Sequence, residues 1–448
     1  MRRRGVLFFS DKDLRDLIVP LFVEQFLLLL VGMADTFVVS YAGDAAVSGV
    51  SLVNAFNTVF VFLFTALASG GAVIISQYIG RRDVRNASGA AGQLLMISVL
   101  ISTGITVPCL VFQTPLLHGL FGNVEPDVMQ ACRTYLQITA ISFPPLAVYD
   151  AGAALCRSEG RTKITMNISI VANVINIAGN CLGVFLFHAG VAGVAWPSFL
   201  SRLISAAAVT CYACSPKLPV HYEGRSIFAW KSDLLRRIMN VAIPNGAENG
   251  VHQLVKVALS SMVALFGTYQ IAANGVAQSI WSLASLMGLA MAPAYTTVIG
   301  QCMGAEDTDQ AEFYFKKLNK ESFLLSIGWN ALVLAATPLL LKFFAISDSA
   351  KDLAFWLVLI NNIMNGLAYP FAGPLGNGLR AAGDIKYTMI VSISLTIGAR
   401  LFFSALFGLW LQMGVIGIAF GMGIDLFIRG AIFYKRYRSG VWKQFALI

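Results

Sequence analysis

Long runs of mostly apolar residues follow one another along almost the whole chain, and that pattern leaves few folds open. A helix rises 1.5 Å per residue, so crossing a hydrocarbon layer of about 30 Å takes about 20 mostly apolar residues. Cutting the sequence at its Gly, Pro and charge clusters gives twelve such segments: 14–40, 47–79, 87–112, 130–153, 164–188, 190–214, 236–266, 270–302, 319–346, 353–379, 387–411 and 413–434. Barrel strands would be about ten residues of alternating character; these runs are continuous and twice as long. Composition agrees, with 57% hydrophobic residues, 12% charged and a mean hydropathy of +0.71. A soluble domain has about 25% charged residues. The first run follows the basic Met1-Arg2-Arg3-Arg4. It is too long for the apolar core of a signal peptide and has no small-residue cleavage site after it, so it reads as a retained span. Seven scattered cysteines imply no disulfide framework, and Cys211 and Cys214 merely end a span.

Charge sets the orientation. The N-terminus, the loops after every second span and the C-terminus hold 25 Lys and Arg residues, whereas the opposite loops hold two, Lys342 and Lys351. Basic residues collect on the cytoplasmic side, so both termini are expected there. The net charge of +9 is thus a topology signal. Thinly spread over seven segments with no aromatic platform, these residues do not describe a nucleic-acid surface.

The sequence also repeats itself at half its own length. Gln77-Tyr78-Ile79-Gly80 returns as Gln301-Cys302-Met303-Gly304, and Gly190-Val191-Ala192-Gly193 as Gly414-Val415-Ile416-Gly417, each half a chain further on. Pro20 and Glu24 return as Pro244 and Glu248 at the same offset, and Gly160 to Lys163 as Gly383 to Lys386 one position short of it. Six spans is an even number, so the halves enter the membrane from the same side and are related by a pseudo-twofold along its normal. The expected architecture is an all-α polytopic membrane protein of two six-helix bundles, residues 1–214 and 234–448, tethered by 215–233. No GxxxxGK[ST] motif occurs. The expected driving force is therefore an ion gradient, not ATP.

Ionisable residues inside spans are costly and are candidates for function. Asp35 stands in the outer third of span 1, where burial disfavours a charged carboxylate and suits it to taking up a proton or a sodium ion. A helix-capping role is the alternative. Asn173, Asn176 and Asn180 fall at i, i+3 and i+7 of span 5, on one face, with Asn54 and Asn57 at similar depth in span 2. Amides can coordinate a cation or bond either form of Asp35, or simply join packed helices. Glu24 returns close to the face of Asp35. In span 7, Glu248, His252 and Lys256 make a polar stripe, either a structural seal or a substrate or proton path, and Arg400 in span 11 is the repeat counterpart of Asn176. Asp425 and Arg429, at i and i+4, read as a structural pair, and His118 and His188 lie near outer loops. No zinc spacing and no Ser/His/Asp arrangement is present, so neither a resident metal, a cofactor nor an enzyme is expected.

With these motifs in order, namely Pro20 with Asp35, Gly71 to Gly80 with Arg81 and Arg82, Arg157 to Lys163 with Asn173 and Asn176, and Leu379 to Asp384, the chain resembles the multidrug and toxic compound extrusion (MATE) family over nearly its whole length. The resemblance implies a V-shaped twelve-helix exporter that exchanges proton or sodium entry for extrusion of amphipathic, often cationic compounds. It assigns ion coupling to Asp35 with Asn176 and Asn180, helix bending to Pro20 and a place in the supporting polar pocket to Ser198. Asn180 stands where archaeal DinF-like members carry a second Asp, and His252 and Tyr369 where sodium-linked NorM-type members carry acids. The chain thus looks DinF-like, with one carboxylate and a preference for the proton, although sodium at Asp35 stays open. It is expected to work as a monomer in the cytoplasmic (inner) membrane. A flippase for lipid-linked sugars and an intramembrane acyltransferase are the rival readings. Fused at the C-terminus, green fluorescent protein should fluoresce and alkaline phosphatase should be inactive; the reverse pattern would overturn the orientation.

Overall fold

A computed structural model describes residues 8–122, 124–344, 346–445 and 447–448, the side chains of Arg225 and Ser226 apart. Arg2, Arg3 and Arg4, counted above in the charge bias, lie outside the described residues, as does the Arg225 side chain. Every regular element among the described residues is helical. Among the described residues ten helices are long and apolar enough to cross a membrane, and Pro126–Ile141 with Phe143–Ser158, bent by 41°, pass the same test of length and composition when taken together. Pro144 and Pro145 open the second of these, and their missing N–H groups interrupt the ladder there. The remaining expected span is Ser232–Ala264, whose 33 residues suffice in length but include Asn245, Glu248, His252 and Lys256 and are less apolar than the rest.

Packing divides the chain into two compact units, one of Val19–Gly246 and one of Ala247–Ile448 with the chain's start through Ile18. Helix counting alone places the division at 214 and 234. The physical difference is that Asp11–Ser40 and Ser232–Ala264 each pass from one unit to the other close to a proline, Pro20 and Pro244. The chain's start is held in the second-half unit, where Phe9 N–H donates to Tyr314 Oη and Tyr314 O–H donates to Phe9 O, both at 2.7 Å. Asp11 pairs with Lys317 in the same unit. The connecting stretch packs on the first-half unit, because Gln93 accepts from Lys231 N–H at 3.0 Å and donates to Ala229 O at 2.7 Å.

The half-chain offset extends to the backbone. Asp83 and Asp307 each cap a helix by accepting from an N–H three residues on, both at 3.1 Å. Arg82 and Glu306 carry positive φ of 62° and 57°, and His188 and Gln412 carry 48° and 56°. Leu182–Leu186 and Leu406–Trp410 are both π-helical turns. Gly193 and Gly417 explain the repeated Gly motif: a Cβ on Gly193 would lie 2.7 Å from the Gly183 carbonyl carbon, and one on Gly417 would lie 2.4 Å from that of Phe407. Each glycine lets the following helix lie backbone to backbone against a π turn. The second half has one further π turn, Leu395–Arg400, which ends on Arg400.

Each unit is also clasped by one buried ion pair at its repeat position. Glu24, 1% exposed, takes Arg157 Nη2 on Oε1 at 2.6 Å, with Tyr149 Oη at 3.2 Å and Thr165 Oγ1 on Oε2 at 3.1 Å. Glu248 takes Arg380 Nη2 at 2.5 Å. Arg157 and Arg380 are themselves repeat partners, one position short of the offset that relates Glu24 to Glu248. Separate apolar clusters are built on Val53, Cys132, Leu136 and Ala195 in one unit and on Ala273, Ala277, Ala354 and Val415 in the other.

Gly417→Ala should lose about 1–3 kcal/mol to overpacking and lower the thermal midpoint in detergent. Gly104→Ala, where nothing lies within 4 Å, should not. Arg157→Met should cost about 3–5 kcal/mol by leaving Glu24 buried and unpaired, and adding Glu24→Met should recover much of it. Additive losses across that thermal-unfolding cycle would contradict the pairing.

Candidate functional site

The first-half unit brings Asp35, Asn180, Asn176 and Ser198 into one hydrogen-bonded chain. Its direction is set at the far end. Ser198 Oγ–H donates to Val194 O at 3.0 Å, and a carbonyl can only accept. With its single hydrogen so used, Ser198 Oγ accepts from Asn176 Nδ2 at 3.0 Å. Asn176 Oδ1 then accepts from Asn180 Nδ2 at 3.1 Å, and the same Asn180 nitrogen donates its other hydrogen to Asp35 Oδ1 at 2.5 Å. The carboxylate therefore faces a donor. Asn180 is fully buried and its Oδ1 has no partner, so the amide is held by its nitrogen.

The other first-half candidates do not join this chain. Asn54 Oδ1 accepts from Tyr135 Oη at 3.0 Å, and Asn57 Nδ2 donates to Thr139 Oγ1 at 3.1 Å, so both bind the helix Pro126–Ile141. Asn173 Nδ2 is buried without a partner. Glu24 belongs to its own cluster with Arg157. Sequence reasoning passed over Arg202 and Asp150, although both are ionisable residues within spans and that signal alone could have flagged them. Arg202 Nη1 donates to Ser142 Oγ at 2.6 Å, and its charge acts on Asp35, Asp150 and Tyr135.

In the second-half unit the expected stripe splits into three. Glu248 pairs with Arg380, Lys256 is exposed, and His252 joins a separate cluster. There Asp425, fully buried, accepts from Arg400 Nε at 2.9 Å and Nη2 at 2.6 Å, and from Arg429 Nη2 at 2.9 Å. Arg429 also reaches Thr396 Oγ1 at 2.7 Å and His252 Nε2 at 3.1 Å. Asp425 and Arg429 are thus a pair, as expected, with Arg400 as a third member. Tyr369 feels the charges of both arginines. A cavity of about 510 Å³ in this unit opens elsewhere, between Lys316, Lys320, Phe371 and Tyr434. Among the described residues no group of three His, Cys, Asp or Glu side chains comes together to hold a metal.

A family profile described as MatE matches residues 20–182 and 244–406, more than half of the chain. The second matched stretch starts and ends half a chain after the first, at the offset of the internal repeat. The uncharacterized transporter YisQ of Bacillus subtilis (strain 168) is 29% identical over 439 residues, covering 95% of this chain and 93% of its own. A probable multidrug resistance protein NorM of Thermotoga maritima is 23% identical, covering 98% of this chain and 94% of its own. The solved structure of a MOP superfamily transporter from Pyrococcus furiosus superposes with a TM-score of 0.90 at 20% identity, covering 97% of both chains. A profile matched twice at the spacing of the duplicated caps, turns and ion pairs shows that this chain is a membrane transporter of the MatE family and not an enzyme.

Proposed function

We propose that the chain is a proton-coupled antiporter that exports amphipathic, often cationic compounds from the cytoplasm, with Asp35 exchanging the proton. The observation that carries this reading is the polarity of the chain from Val194 to Asp35, which ends in an N–H donated to the carboxylate. Such a donor favours ionised Asp35, because a protonated carboxyl still accepts the N–H on its carbonyl oxygen but without the charge that strengthens the bond. An ion shifts a conformational equilibrium only through different affinity for the two states, so a state that keeps the Asn180 donor on Asp35 favours the ionised form and a state that withdraws it would favour the protonated one. Sodium is less well served, because hard cations take oxygen ligands, whereas here an amide nitrogen faces the carboxylate and the Arg202 charge lies nearby. Export of drugs is supported by relatives named for multidrug resistance. Asn176, Asn180 and Ser198 would hold Asp35 in place, and residues 1–214 and 234–448 would be the two working lobes of a monomer in the cytoplasmic membrane, with both termini inside.

In proteoliposomes, an imposed pH gradient should drive efflux of a cationic dye and an imposed sodium gradient should not. Asp35→Asn should reduce pH-driven efflux at least about tenfold, the scale of removing an essential proton carrier, while leaving the thermal midpoint in place. Undiminished efflux from the variant would remove Asp35 from the mechanism, and sodium-driven efflux would reassign the ion.

A further inference from the structure

Among the described residues, the second-half polar core carries one cation more than its own acids neutralise. Glu248 and Arg380 cancel, as do Asp425 and one of its two arginines, which leaves one guanidinium over. His252 does not offset it. Arg429 has only donors to offer, so His252 Nε2, at 3.1 Å from Nη1, acts as acceptor in a neutral ring. Tyr369 is uncharged, and Lys256 is exposed and adds no negative charge.

One donor is unspent and one guanidinium is reachable. Arg429 is 4% exposed, yet its Nε is buried with no partner. Arg400 spends Nε and Nη2 on Asp425, and its side chain keeps 13% exposure, which gives a ligand access. An unpaired cation at membrane depth is expensive, and ionisable residues there mark substrate or ion sites by default. The duplicated scaffold did not supply this set: at the matching positions of the first half stand Asn176, Ser201, Ser205 and Leu28, in place of Arg400, Asp425, Arg429 and His252.

We propose that Arg400 and Arg429, bridged by Asp425, form a binding site for the carboxylate of an amphipathic substrate. The site rests on the export reading above and narrows it: molecules carrying a carboxylate beside their cationic group are favoured over purely cationic ones. Guanidinium groups suit this task because their planar N–H donors match a carboxylate and stay charged.

The test uses a rhodamine free acid and its methyl ester, which differ only in the carboxylate. Binding to the purified full-length protein in detergent, followed by fluorescence polarisation, should be about tenfold tighter for the acid, as for a charge-assisted contact. Arg400→Gln should bring the acid down to the ester and leave the ester unchanged, and Arg400→Lys should retain part of the difference. Equal affinities in the unaltered protein, or equal losses for both dyes in Arg400→Gln, would overturn the proposal, and the first comparison needs no variant to fold. Because binding is read without transport, a protein that prefers the acid yet exports neither dye supports the site and overturns the antiport reading instead.

Discussion

Hydrocarbon offers no hydrogen bonds, so every polar group taken to membrane depth must find its partner within the protein. The helices satisfy their own backbones. The side chains must be satisfied across helices, and each unit does this first with a buried Glu–Arg clasp, Glu24 with Arg157 and Glu248 with Arg380. These pairs draw the first helix of each half to a later one, 133 and 132 residues further along the chain.

The architecture could be read from the sequence because it rests on periodic, local information. Apolar runs of spanning length, the bias of Lys and Arg and a constant offset of half the chain need no knowledge of which residues touch. The structure then shows how deep the duplication runs, into features that no sequence comparison displays: paired π turns, and positive φ at Arg82 and Glu306 and at His188 and Gln412, residue types with nothing in common. The helix Ser232–Ala264 is the instructive exception, since its polar residues weaken the hydropathy that defines a span while its length preserves it.

The polar clusters were less legible. Asp35, Asn176 and Asn180 could be brought together because shared depth and helical spacing point to them, and Ser198 because the family resemblance does, whereas Asn54 and Asn57 lie at the same depth and bond elsewhere. Depth is a coarse coordinate, and which way an amide faces depends on the rotation of its helix. The stripe of Glu248, His252 and Lys256 misleads for the same reason, as residues four apart on one helix face three different surroundings. Electrostatically the halves have diverged on a common scaffold, one setting a carboxylate against a donor amide, the other crowding two guanidinium groups onto a single acid.

The reciprocal hydrogen bonds of Phe9 with Tyr314 join residues separated by 305 positions. A ribosome adds roughly 5–20 residues per second, so the beginning of the first helix waits on the order of 15–60 s for the segment that will hold it. The first six spans can insert and assemble meanwhile, but Phe9 cannot be docked until the second-half segment that carries Tyr314 exists. Biogenesis of this transporter is thus ordered in part by its topology: Phe9 is made long before the residue that holds it.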